Sequence, residues 1–384
     1  MGVQSFYRDT WAEINLDNIY YNVESLKNIL PGNVTLFAVV KANAYGHGDI
    51  QVARTAVSAG ASYIAVALID EAIALRKKGL KEPILVLGAS KPENAVIAAE
   101  NDITLTVFQK EWIDKAKKFL QESKPVKVHI KIDTGMGRIG VKTKQELKEV
   151  ESAIRENSCF YLEGAFTHFA TADQLEITYY KEQLALFNDL VESFEKRPEL
   201  VHCSNSAAAL RYPESYFNGV RFGISMYGLS PSKEIESELP YPLKEAFSLR
   251  TKLVHVKQIQ PGEKVGYGAT YEAQAQEWIG TVPIGYADGW IRKLRGQEVL
   301  VDGKRVPIVG RICMDQTMIK LPNYLPVGTD VTLIGRQGDE FISVNEIADE
   351  LETINYEVTC MMSYRIPRVF IQNGKIVEVV NGLL

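Results

Sequence analysis

Eight short apolar stretches, most of them followed by a helical pattern, restrict what this chain can fold into more than any other feature. They are Thr35–Lys41, Tyr63–Leu68, Ile84–Leu87, Ile103–Val107, Val126–Ile132, Tyr161–Phe166, Leu200–Cys203 and Gly219–Phe222. Most are rich in β-branched residues and apolar on both faces, as strands buried on both sides of a parallel sheet must be. Helical patterns run at Leu16–Leu30 (opened by Asn15 or Asp17), Asp49–Ala59, Asp70–Lys78 (closed by Gly79), Pro92–Glu100, Lys110–Glu122, Thr143–Glu156 and Gln174–Glu195. Eight β/α units in about 240 residues match a closed (β/α)8 TIM barrel. An open, doubly wound sheet is the other arrangement this alternation permits.

The texture changes at Leu239-Pro-Tyr-Pro242. Beyond it, short strand patterns alternate with tight-turn signals: Pro261-Gly262, Asp302-Gly303, Pro326-Val-Gly328, Gly338-Asp339 and Asn373-Gly374. Only Val344–Leu351 reads clearly as a helix there. A chain of 384 residues that is 46% apolar is long for one compact domain. The expected division is therefore an α/β barrel over 1–242 and a C-terminal β-rich domain over 243–384.

The net charge is −5 with both signs interspersed, which points away from a nucleic-acid or membrane-surface partner. No apolar run reaches the roughly 18 residues of a spanning helix. The first residues show neither the basic nor the apolar region of a secretory leader, and Phe6 breaks the myristoylation pattern. Cys159, Cys203, Cys313 and Cys360 lie far apart without a C-x-x-C pair, as expected of reduced thiols in a cytoplasmic protein. The histidines at 47, 129, 168, 202 and 255 have no ligand spacing, so no metal is expected.

Three positions suggest chemistry on their own. Lys41 ends the first apolar strand, before a loop punctuated by Gly46 and Gly48. The carboxyl end of a barrel strand is where active sites form. A partly desolvated lysine there can present a neutral amine able to form a Schiff base with an aldehyde, although a strand-end lysine can also simply reach solvent. Gly135-Met-Gly137-Arg-Ile-Gly140 spells G-x-G-x-x-G, but Arg138 inside it suits a carboxylate better than a dinucleotide phosphate loop. Ser206 precedes a short helical run, where it can cap the helix, bind a phosphate, or both.

Lys41 lies within Val39-Val-Lys-Ala-Asn-Ala-Tyr-Gly-His-Gly48, which resembles the cofactor-lysine motif of the alanine racemase family. Further segments resemble that family in order: 131–140 (Lys-Ile-Asp-Thr-Gly-Met-Gly-Arg-Ile-Gly), 167–170 (Thr-His-Phe-Ala), 204–206 (Ser-Asn-Ser), 221–224 (Arg-Phe-Gly-Ile), 265–268 (Val-Gly-Tyr-Gly), 286–289 (Tyr-Ala-Asp-Gly) and 310–315 (Gly-Arg-Ile-Cys-Met-Asp). The likeness covers nearly the whole chain.

The resemblance implies pyridoxal phosphate carried on Lys41. It implies that Tyr45, Ser206, Gly223, Ile224 and Tyr356 hold the phosphate. Arg138 would contact the phenolic oxygen and the substrate carboxylate, oriented by Lys131 as a carbamate; an ordinary buried lysine is the alternative. Arg221 would face the ring nitrogen. Because arginine stays protonated, that nitrogen would stay unprotonated, weakening the electron sink and suppressing transamination.

Racemisation needs proton transfer on two faces of the α-carbon. The resemblance assigns these to Lys41 and to Tyr267 from the second subunit of a homodimer, with His168 and Arg221 as candidate cationic neighbours of Tyr267. The Met314 backbone N–H would hold the carboxylate, Asp315 would line the site, and Tyr286, Arg292, Arg311, Asp173 and Ile354 would flank the entry. The implied activity is interconversion of L- and D-alanine, supplying D-alanine for bacterial cell-wall peptidoglycan. A serine/alanine racemase is the broader reading. Related barrel decarboxylases place a carboxylate at the ring nitrogen, which Arg221 does not fit. Non-catalytic pyridoxal phosphate carriers lack a domain corresponding to Ala246–Leu384.

Overall fold

The computed structural model describes residues 6–120 and 123–384. Residues 1–5, where the absence of a leader was read, lie outside this range, as do Gln121 and Glu122 at the end of the helix expected over 110–122. The chain forms two units. One comprises residues 18–44 and 49–244; the other comprises the described residues through Asp17, Tyr45–Gly48 and Glu245–Leu384.

Strand β1 (Thr10–Asn15) lies outside the first unit, whose core is a closed barrel of β2 (Thr35–Val39), β3 (Tyr63–Val66), β4 (Ile84–Ala89), β5 (Ile103–Val107), β6 (Val126–Lys131), β7 (Phe160–Phe166), β8 (Leu200–Ser204) and β9 (Gly219–Phe222). Each strand pairs in parallel with the next. β9 returns to β2 in the register Thr35↔Gly219 to Ala38↔Phe222. This is the barrel the β/α alternation predicts, not the open sheet. All eight carboxyl ends therefore open on one side.

Local rules place the helices. Gly79 has φ +89° and follows Ile69–Lys77 as the left-handed residue that ends a helix. The Thr143 side chain accepts from the Glu146 N–H, and the Glu146 carboxylate accepts from the Thr143 N–H, closing a capping box on Lys144–Arg155. The last long helix is shorter than expected, Thr178–Glu192, because Gln174 is spent in a turn against Thr171. The helix expected from Lys110 runs to Ala116.

The second unit is mainly β. Its largest sheet places β1 between β10 (Phe247–Lys252), antiparallel, and Arg368–Gln372, parallel. β1 departs from the expected 1–242 barrel domain because both of its edges find ladder partners in the C-terminal segment. β11 (His255–Ile259), Glu277–Val282 and Thr317–Leu321 form a second sheet. A helix at Asn355–Met361 follows the expected one at Val344–Glu350. It has seven residues and includes the β-branched Val358 and Thr359, so its sequence signal is weak. Among the described residues the four cysteines form no disulfide. No described helix is long and apolar enough to cross a membrane.

Candidate active site

The barrel unit gathers most of the expected site residues at the carboxyl ends of its strands. Lys41 follows β2, and the Val40 N–H continues the ladder onto the Ala65 carbonyl. The chain then makes a left-handed turn: Ala42, Asn43, Ala44 and Tyr45 all have φ near +53°. Left-handed backbone costs a non-glycine residue about 1–2 kcal/mol, so the turn needs compensating bonds. Glu71 provides one, accepting from the Ala42 N–H at 2.6 Å and from the Ala67 and Leu68 N–H groups. Asn43 accepts from the Asp49 N–H. Strain held by surrounding bonds is a mark of functional sites, and here it fixes the backbone directly after Lys41.

Arg221 lies on β9, in register with Phe37 of the lysine-bearing strand. It is 3% exposed. One terminal nitrogen donates to His202 Nδ1 at 2.7 Å and to the His202 carbonyl. The other donates to the carbonyls of Thr167 and Cys203, with His168 Nδ1 at 3.3 Å. Nε is left without an acceptor among the described residues. Burial lowers the affinity of Arg221 for its proton, to a pKa of about 10, so the group is a cation at neutral pH.

Burial and then the charges of Arg221, Arg138, Lys131 and Lys41 push the pKa of His168 well below the usual value. With its pKa held that low, His168 is uncharged at neutral pH. The same concentration of positive groups acts on Lys131. Burial first, then Arg221, brings its pKa down to about 7, with Arg138 adding to the effect. Its Nζ donates to the Ile132 carbonyl at 2.6 Å.

The glycine-rich loop is organised around Asp133, whose Oδ1 accepts from the Gly135 and Gly137 N–H groups. These amides are turned inward on a carboxylate, which is not how a dinucleotide phosphate loop is built. Asn205, not Ser206, caps the helix Ser206–Arg211, accepting from the Ala208 N–H. The buried Ser206 hydroxyl instead accepts from the Gly223 N–H at 2.8 Å. That bond ties the end of β8 to Gly223–Ile224 after β9.

The β-rich unit holds the other site residues. Tyr45 is buried, and its ring lies 6.2 Å from that of Tyr356. Burial, with the Cys360 thiol, raises its pKa, so its hydroxyl keeps its proton and remains a donor. Gly46 has φ +86°, and a Cβ there would meet the Thr359 carbonyl oxygen at 2.1 Å. Tyr267 sits between Gly266 and Gly268, both at positive φ, and is 71% exposed. Arg311 lies against this turn: a Cβ on Gly268 would sit 2.9 Å from its Nη1. The segment carrying Met314 is fastened by backbone bonds from Tyr286 and Ala287 to the Cys313 and Met314 carbonyls. Arg365 pairs with Asp315 at 2.7 Å. Met314 and Ile354 are largely exposed.

Comparison with known proteins bears on what these residues do. Residues 14–231 match the alanine racemase N-terminal domain family, and residues 246–370 match the alanine racemase C-terminal domain family. The chain is 59% identical over 381 residues to the alanine racemase of Geobacillus stearothermophilus, covering 99% of this chain and 98% of that one. The chain belongs to the alanine racemase family. Within it, the alanine racemase of Geobacillus kaustophilus is 60% identical over 99% of both chains. The crystal structure of the Bacillus anthracis alanine racemase with bound L-Ala-P superposes with a TM-score of 0.96 at 54% identity, covering 98% of this chain and 99% of that one.

Two features of this family member escape the sequence reading. Glu71, the clamp on the turn after Lys41, sits in an ordinary helical pattern and gives no local signal. The buried partners behind Arg221 do give one. His129, Glu163 and His202 are each flanked by apolar or small residues, in three consecutive strands of the barrel.

Proposed function

We propose that the protein interconverts L- and D-alanine with pyridoxal phosphate, as a homodimer whose sites take residues from both copies. The observation that carries this reading is Arg221. A buried guanidinium with four of its donors engaged leaves Nε–H for a ligand acceptor. That fits a pyridine nitrogen bearing a lone pair, and it does not fit one bearing a proton.

The other groups fit the same cofactor. Ser206, Gly223 and Ile224 stand after β8 and β9, the usual phosphate end of a barrel. Tyr45 and Tyr356 offer hydroxyl donors. Lys41 would hold the aldehyde, His168 would lie beside the ring, and Arg138 would contact the phenolic oxygen. The carbamate of Lys131 would orient Arg138, and an amine with a pKa near 7 is partly neutral and open to carbon dioxide at physiological pH. Pyridoxal phosphate, when bound, withdraws electrons from the substrate's α-carbon and so acidifies its hydrogen.

The chain's own residues do the rest. Arg138 and the Met314 backbone N–H bind the substrate carboxylate. The Lys41 amine removes or returns a proton on one face of the α-carbon. The Tyr267 hydroxyl does so on the other, coming from the second copy, since Tyr267 and Met314 stand exposed in a single chain. Arg221 would donate to the ring nitrogen, and in doing so would limit the electron sink and favour protonation at the α-carbon. Tyr286, Arg292, Arg311, Asp173 and Ile354 flank the entry. We place the enzyme in the cytoplasm, where its product serves cell-wall peptidoglycan synthesis.

The test is incubation with single enantiomers of alanine, serine and lysine, followed by chiral analysis. Alanine should reach a near-equal mixture from either side, with serine far slower. Inversion of serine as fast as alanine would replace this reading with the broader racemase, and inversion of none would end it.

A further inference from the structure

The interior of a (β/α)8 barrel is ordinarily filled with bulky apolar side chains. Here a polar column runs through it behind Arg221. His202 Nε2 lies 3.0 Å from His129 Nδ1. His129 Nε2 lies 3.0 Å from Glu163 Oε2. Tyr63 and Thr104 close the column on the same oxygen, at 2.7 and 3.1 Å. Both imidazoles are fully buried.

The fold makes room for them. A Cβ on Gly164 would lie 2.6 Å from His129 Cε1, and one on Gly219 would lie 3.0 Å from the His202 Cβ. The His202 ring stacks on Phe166, with centroids 5.0 Å apart and planes 7° apart. Polar groups so placed are costly unless every donor meets an acceptor, so the column's pattern of protons is fixed by its ends.

Those ends are unambiguous. Arginine only donates, and an ionised carboxylate only accepts. Arg221 donates to His202 Nδ1, so that nitrogen carries a lone pair and the His202 proton is on Nε2. It is donated to His129 Nδ1, which leaves the His129 proton on Nε2, donated to Glu163. Both imidazoles are neutral: a second proton on either would bring two donors face to face. Burial raises the pKa of Glu163, but the hydrogen bonds from His129, Tyr63 and Thr104 act the other way and lower it, so the group is a carboxylate. Arg221 has no carboxylate partner of its own among the described residues. Glu163, two imidazoles away, is the negative end of its hydrogen-bond chain.

We propose that Glu163 is a positioning residue for Arg221: through His129 it fixes the His202 tautomer so that a lone pair, and not a proton, faces the guanidinium. Without a carboxylate at the far end, the His129–His202 pair can reverse, turn an N–H toward Arg221 and push the guanidinium out of place. The consequence for the reaction rests on the reading of Arg221 as the partner of the cofactor's ring nitrogen. Displacing Arg221 lets that nitrogen take a proton, and transamination then competes with racemisation.

Two measurements test this, both on the full chain. Nitrogen-15 spectra of the histidine rings, assigned by loss of one signal in His129→Gln and one in His202→Gln, should show both rings neutral and protonated on Nε2. A His202 proton on Nδ1, or a doubly protonated ring at neutral pH, overturns the proposal. The isosteric Glu163→Gln should raise the ratio of transamination to racemisation by about tenfold, since a bond to a charged group is typically worth at least that factor. A merely structural loss would slow both reactions together, so an unchanged ratio also overturns the proposal. The two layers fail separately. Nε2-protonated rings combined with a side reaction insensitive to Arg221 itself would leave the column's polarity standing and remove only the cofactor reading.

Discussion

Arg221 and Lys131 of the barrel unit contrast with Tyr267 and Met314 of the β-rich unit. In the barrel unit Arg221 is 3% exposed and Lys131 is 2%, and the turn after Lys41 is clamped by Glu71 and Asn43; Arg138, on the glycine-rich loop, is exposed. In the β-rich unit Tyr267 is 71% exposed and Met314 is 53%, although the turns that carry them are tightly specified by glycines and backbone bonds. Buried site residues have their environment set by their own chain, including shifted proton affinities. Exposed ones on rigid turns have a fixed backbone and an environment still to be supplied. In this account the second copy supplies it.

The contrast can be broken or sharpened by substitution. The largest effect should come from the exposed side. Tyr267→Phe keeps the ring and removes the titrating oxygen, and loss of a general base typically costs about 10²–10⁴-fold. Exchange of the α-hydrogen with solvent deuterium should persist from D-alanine, where Lys41 acts, and collapse from L-alanine. Equal exchange from both enantiomers at near-normal rates would point to another second base.

A smaller but more selective effect is expected from the buried side. Arg221→Glu places a carboxylate near the ring nitrogen and should favour its protonation. Racemisation should fall while pyruvate and pyridoxamine phosphate rise relative to it, by about tenfold or more as judged from the value of a charged hydrogen bond. A side reaction that stays at its original proportion would show that Arg221 does not govern the ring.

The smallest effect concerns Lys131. Its folded-state pKa is lowered to about 7, so its amine is neutral above that pH and protonated below it. Only the neutral form adds carbon dioxide. Carbamate loading, followed by carbon-13 NMR with labelled bicarbonate, should therefore rise several-fold between about pH 6 and pH 8, as a single group titrating near 7 requires. A signal that is flat over this range, or that grows as the pH falls, contradicts the assignment.

Much of this was legible from the residues. The eight barrel strands lie within a few residues of the expected ranges because strands buried on both faces need continuous apolar runs. The terminal strand β1 was not placed, because its alternating pattern does not reveal that its ladder partners lie in the last third of the chain. The helix Asn355–Met361 was missed because its stability comes from packing and not from propensity. At the site, motif residues could be named, but proton states could not. Nothing local in Thr-His-Phe-Ala shows that His168 is neutral; burial makes it so, helped by cations from three other segments. The column behind Arg221 is visible in the sequence only as polar residues between apolar or small neighbours in three strands, and its meaning depends on the register that aligns them.

The central claim, that buried and exposed halves of one site come from different copies, is tested most directly by mixing two inactive variants. Lys41→Ala and Tyr267→Ala should each racemise at background level. After subunit exchange, each mixed dimer would carry one site with both groups intact and one with neither. Activity should therefore reappear, reaching at most about half that of the unaltered enzyme per mixed dimer, as independent two-base sites require. No recovery, with exchange of subunits demonstrated by mass, would place Lys41 and Tyr267 in the same chain's site and contradict the account.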